Sequence, residues 1–225
     1  MFKVPPSNSI EWLGLPILVE LDQSHLYYLQ RIHDLLMGCL AEHPRWTVIR
    51  VDLRSSRGCC IPENAITRFI GSLKAQLKHA QQVKKSAGRR GYDPMVRYVW
   101  VRELNQGDQP HFHVAILLNH DAYFSLGNYG RLSDPDRDYD EMLSGRIYKA
   151  WGVALGISWR QAQAAVHFPE RPVSALMRRG PLSNLQLYGV FYRLSYFAKQ
   201  QTKRYGEGGR SFGMSQVSRI QASQD

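Results

Sequence analysis

Cysteine is scarce in this chain of 225 residues: Cys39 and the adjacent Cys59 and Cys60 are the only three. Neighbouring cysteines rarely bridge one another, and three thiols fall short of a four-ligand zinc site, so reduced thiols are expected. No apolar run approaches the roughly 18 residues that a membrane span requires, and no N-terminal stretch has the make-up of a secretion signal. The expectation is a cytoplasmic protein with no membrane contact. The pattern G-x-x-x-x-G-K-[ST] is missing too, which excludes a phosphate loop of the ATPase or helicase kind. Neither internal repeats nor Pro/Ser/Gly-rich linkers break the chain, and one domain is the economical reading. Acidic residues are the minority, 19 against 29 Lys and Arg, for a net charge of +10. Such a surplus suits a polyanionic partner, because cations that neutralise phosphates release counterions.

The rest of the composition, 44% hydrophobic and 21% charged, is that of an ordinary folded domain. Residues 1–45 read as an extended lead-in, with short strands possible around Ile10–Leu13 and Ile17–Leu21, followed by a helix with Leu26, Leu29, Ile32, Leu36 and Leu40 on one face. Trp46–Arg54 reads as a strand. Within it Asp52 has two readings, a carboxylate near a metal or a charge paired with Arg50 or Arg54 on a solvated face, and the second is the commoner arrangement. Pro62 suits the first turn of a helix that runs to about Ala87. Its basic end, with Lys84, Lys85, Arg89 and Arg90, is the leading candidate for phosphate contacts, joined by Arg178 and Arg179 and by Lys203. An acidic loop at 126–140 precedes a helix ending at Gly156, then a strand at Ala164–Phe168, and residues 216–225 read as a tail. This order predicts an α+β domain with a central antiparallel sheet of the split βαβ kind and helices packed on it.

Two stretches carry chemistry. Tyr98–Leu118 reads as two strands joined by a polar turn, and side chains two apart on a strand share a face. His111 and His113 therefore leave the same side, and the hairpin folds Glu103 back beside them: two imidazoles and a carboxylate, a donor set that suits a divalent metal. Taken alone, His-x-His is a weak motif. Near the C-terminus Tyr188, Tyr192, Tyr196, Lys199 and Lys203 fall on one helical stripe, with Leu187, Val190, Leu194, Phe197 and Ala198 opposite for packing. Tyrosines at a core margin with bonded hydroxyls would look similar.

Together, His111-Phe112-His113 on a strand and Tyr196-Phe197-Ala198-Lys199 on a later helix resemble the HUH endonucleases, the family of rolling-circle replication initiators and relaxases. The C-terminal half looks closer still to the inovirus-type gene II replication proteins and the YagK/YfjJ C-terminal domain family of bacterial and prophage genomes. This likeness rests on Ala150-Trp151, Val166-His167-Phe168-Pro169, Arg193-Leu194-Ser195-Tyr196 and Arg210–Ser215, and marks 46–215 as the endonuclease domain. It implies that Mg²⁺ or Mn²⁺ is held by His111, His113 and Glu103. Tyr196 would be the nucleophile that nicks single-stranded or supercoiled origin DNA, leaving a 5′-phosphotyrosine and a free 3′-OH. Lys199 would hold the phosphate or lower the phenol's pKa, and Tyr192 is either a second nucleophile or a support. Host helicase and polymerase would be partners. Two other classes fit parts of the pattern: a non-catalytic prophage DNA-binding protein or regulator that keeps the fold, and a metal-dependent nuclease that uses water.

Overall fold

A computed structural model of the chain describes residues 6, 8–56, 59–104, 110–127, 142–200 and 210–217. The acidic loop from 128 onward, the start of the helix that follows it, Lys203 and all but the first two residues of the tail lie outside the described residues.

The sheet grows outward from β3 (Arg45–Leu53), which is buried on both faces along most of its length. Next to it lies β5 (Pro110–Asn119), then β4 (Arg97–Leu104) and the short β8 (Phe212–Met214). On its other edge β3 takes β6 (Val166–His167) near one end and β7 (Val173–Met177) along the rest, and every pairing is antiparallel.

Alternation along these strands sorts two cores. Ile49, Val51, Leu53, Phe112, Val114, Ile116 and Trp100 face α2 (Ala65–Ser86) and α3 (Leu143–Leu155). Trp46, Val48, Val99, Val101, Ala115 and Leu117 face α1 (Leu26–Glu42) and α5 (Ser183–Ser195). The result is a single α+β domain whose mostly antiparallel sheet is covered by helices on both sides. No helix among the described residues is long and apolar enough to cross a membrane.

Several boundaries differ from expectation for local reasons. The α2 helix begins at Ala65, because the Pro62 carbonyl closes the preceding turn onto the Ala65 N–H. A short helix α4 (Trp159–Gln163) was not read from periodicity; its start is marked by a capping box in which Ser158 and Gln161 satisfy each other's backbone N–H. The tyrosine helix is not continuous to Lys203: α5 stops at Ser195, and Tyr196–Ala198 form a tighter 3-10 turn. At the N-terminus β1 (Ile10–Trp12) and β2 (Leu15–Ile17) form a hairpin with Leu13 and Gly14 at its turn, both at positive φ (51° and 72°), the backbone of a tight hairpin turn. That hairpin packs on α5, with Trp12 stacked on Phe191 at 5.8 Å.

Candidate metal and tyrosine site

Cross-strand register assembles the site. Glu103 pairs with His111, and His113 lies between Val101 on β4 and Asp52 on β3, so all their side chains leave the α5 face of the sheet. One donor atom from each of Glu103, His111 and His113 falls within 4.8 Å of the others. The Glu103 carboxylate, almost fully buried, lies 3.3 Å from His113 Nε2 and 3.6 Å from His111 Nε2.

Asp52 departs from the commoner reading. It is buried rather than solvated, and its Oδ1 lies 2.6 Å from His113 Nδ1, while its other oxygen is 3.9 Å from Arg54. Burial pushes the Asp52 carboxyl up, but the His113 hydrogen bond and the charges of His113, Arg50 and Arg54 outweigh it and hold it below its ordinary range. Burial likewise pulls His113 down, whereas bonds to Asp52 and Glu103 leave it raised overall. In the metal-free protein both ring nitrogens face carboxylates, Nδ1 that of Asp52 and Nε2 that of Glu103; with Nδ1–H kept on Asp52, loss of the Nε2 proton would free that nitrogen for a metal. The donor set therefore fits a divalent ion with open positions.

Tyr196 reaches the same place from the helix side. Its ring meets that of His113 edge to face at 5.5 Å, and Phe197 stacks on the imidazole at 6.2 Å. Backbone bonds clamp this turn: His25 N–H donates to Ala198 O at 2.8 Å and Gln200 N–H to Gln23 O at 2.9 Å. Lys199 Nζ stands 6.0 Å from the Tyr196 ring, and Arg50, which the sequence pattern links only to Asp52, stands 5.9 Å from it and 5.2 Å from Phe197. The expected lowering of the phenol by Lys199 does not prevail. Burial and the carboxylates of Glu103 and Asp52 hold Tyr196 above its ordinary value against Arg50. Arg50 was legible only as an alternate-position neighbour of Asp52 on β3; its reach to Tyr196 depends on how α5 crosses the sheet.

Other expected residues lie elsewhere. Tyr192 is buried, and among the described residues no ring contact or hydrogen bond ties its side chain to the His113–Tyr196 cluster. Lys84, Lys85, Arg89 and Arg90 stand at the far end of α2, beside the start of β4 rather than beside Glu103. Six residues of strand at roughly 3.3 Å each put them ~20 Å from the metal-site end. There Lys84 lies over Tyr123 at 5.9 Å and Arg90 over Tyr92 at 4.9 Å. Arg178 is engaged by the end of α1, donating to Leu40 O at 3.3 Å, which suits a cation at a helix C-terminus, and Arg179 beside it is exposed.

Comparison with known proteins returns one family. The model of the YagK/YfjJ C-terminal domain matches residues 12–215. The uncharacterized protein YagK of Escherichia coli strain K12 is 31% identical over 202 residues, covering 85% of this chain and 93% of its own. The uncharacterized protein YfjJ of the same strain is 31% identical over 202 residues, covering 84% and 93%. No solved structure matches.

Proposed function

The chain belongs to the YagK/YfjJ C-terminal domain family, and for it we propose the function of a metal-dependent, tyrosine-type endonuclease that nicks and rejoins single-stranded origin DNA in rolling-circle replication. The observation that carries this reading is the meeting of two independently recognised motifs: Tyr196, from the end of α5, lies 5.5 Å from His113 of the Glu103–His111–His113 group. A DNA-binding protein needs no buried carboxylate and paired imidazoles beside a phenol.

Glu103, His111 and His113 would hold Mg²⁺ or Mn²⁺, which would supply Lewis acidity for phosphoryl transfer. Asp52 fixes His113 through Nδ1, and Phe197 packs against the same ring. Tyr196 Oη forms the new bond to phosphorus as the bond to the 3′ oxygen breaks. The phenol gives up its proton, and the departing 3′ oxygen takes one, leaving a 3′-OH. A phenol is protonated at neutral pH and burial raises Tyr196 further, so the proton must be lost as Oη bonds to phosphorus. Arg50 and Lys199 provide positive charge beside the phenolate that develops. The phosphodiester linkage is conserved in the protein–DNA bond, so the reverse step joins ends without ATP.

Incubating the protein with single-stranded oligonucleotides and Mn²⁺, and resolving products on a denaturing gel, tests this. The native chain should form a covalent adduct on the 5′ phosphate, and Tyr196→Phe should reduce it by at least ~10³-fold while DNA binding persists. The doubly substituted His111→Ala, His113→Ala chain should lose it as well. An adduct that survives Tyr196→Phe and disappears in Tyr192→Phe would transfer the role to Tyr192. Cleavage without an adduct would indicate water as nucleophile, and binding without cleavage of any substrate would indicate a regulator.

A further inference from the structure

On the reverse side of the hairpin from the metal group is a cavity of about 560 Å³, roofed by the start of α2. Its position follows from alternation: Arg102 and Phe112 are the immediate neighbours of Glu103 and of His111 and His113, and point the opposite way. Trp100 and Phe112 make an apolar floor, with Trp100 set edge to face on Phe112 at 5.7 Å, and Ile66 lines the α2 side. Strand β8 braces that floor, since a Cβ on Gly213 would meet the Trp100 ring at 2.5 Å, so the backbone lies directly against the indole. At the rim stand the guanidiniums of Arg102 and Arg210 and the carboxylate of Glu63. Asn64 also lines the cavity, and its side chain makes no capping bond to α2, which leaves the amide available to a ligand edge.

We propose that this cavity captures one unpaired nucleotide of the DNA strand, with its base against the apolar lining of Trp100, Phe112 and Ile66 and its phosphodiester at Arg102 and Arg210. Three features select that ligand class. The volume lies within the range of pockets that take small organic ligands, roughly 300–1,000 Å³. An apolar floor beside rim cations is the construction by which proteins hold single strands, base on one surface and backbone on the other. Among the described lining residues Arg102 and Arg210 outnumber Glu63, a formal balance that favours an anionic group such as a phosphodiester. This inference rests on the single-strand DNA reading above but not on cleavage.

The test is fluorescence anisotropy of a short labelled oligothymidylate with the full chain. Thr67 lines the cavity from an exposed position on α2, so Thr67→Trp fills the space from outside the core. Thr67→Trp, and separately the double variant Arg102→Gln, Arg210→Gln, should each weaken binding roughly tenfold, within the range one captured base contributes. The double arginine variant should also flatten the salt dependence. Mn²⁺ binding by calorimetry and the thermal unfolding midpoint should stay at native values in both, which separates loss of the pocket from loss of the fold. Native affinity in both variants overturns the proposal while leaving the endonuclease reading in place. Pocket-dependent binding with no adduct from the native chain would instead retain the pocket and remove the nuclease. A native chain that binds no oligonucleotide overturns both.

Discussion

Asp52 shows how a single carboxylate acts through a neighbour. Its bond to His113 Nδ1 orients the imidazole, and such partners typically contribute roughly 10- to 100-fold to metal affinity, so Asp52→Asn should weaken Mn²⁺ binding by about that factor in calorimetry. The same pair makes stability depend on pH in the metal-free protein. Asp52 is held below its ordinary value of 3.8, so its contribution is complete above that value and is lost as the pH falls through the lowered one. His113 is held above its ordinary value of 6.5, so its contribution is complete below 6.5 and is lost as the pH rises through the raised one. Stability from the pair is therefore greatest between 3.8 and 6.5. Denaturant unfolding across pH should show Asp52→Asn reducing stability in that window by about 1–3 kcal/mol and flattening the profile. An unchanged profile would remove Asp52 from the pairing.

At the scale of elements, the end of α5 matters more than its length. The chain leaves α-helical geometry at Ser195, and the 3-10 turn that carries Tyr196 is fastened to Gln23–His25, upstream of the strands that build the sheet. The lead-in is thus part of the structure that positions the tyrosine. Ser195 links the two through its hydroxyl, which accepts from Leu18 N–H at 2.8 Å and donates to Tyr192 O at 2.7 Å. Ser195→Ala should leave the Leu18 N–H without its partner and cost about 1–3 kcal/mol, read as a lower denaturation midpoint with faster hydrogen exchange at Leu18. Exchange at Leu18 equal to that of the native chain would show that the Ser195 hydroxyl does not hold this part of the lead-in.

For the whole molecule, the net charge of +10 is spread over separate regions rather than gathered at the metal group. Lys84, Lys85, Arg89 and Arg90 mark the far end of α2, roughly 20 Å away along β4. Neutralising all four should weaken binding of long single strands irrespective of sequence and reduce the salt slope by ~0.7 for each phosphate that is no longer neutralised. Cleavage of an oligonucleotide too short to reach that end should stay at the native rate. A loss confined to one sequence would mean that these residues read bases.

Local patterning was enough to recognise a strand at Trp46–Arg54 and two within Tyr98–Leu118, observed at Arg45–Leu53, Arg97–Leu104 and Pro110–Asn119, with the main helices and the convergence of Glu103, His111 and His113 on one face. The reason is that strand alternation and hairpin register are short-range: once two strands are joined by a tight connection, which side chains meet is a matter of counting. Elements with weak periodicity escaped. The five residues of β7 follow two prolines without clear alternation, and α4 is signalled only by its Ser158–Gln161 cap. What counting along the chain could not supply is every meeting between distant segments. Asp52 lies 61 residues from His113 in the chain, and whether its carboxylate meets solvent or imidazole depends on β3 pairing with β5. Arg50 beside Tyr196, the clamp from Gln23–His25, and the distance of the α2 cations from the metal group depend in the same way on how helices cross the sheet. Those crossings are set by packing two apolar cores against opposite faces of one sheet, a property of the assembled domain that no single stretch of sequence contains.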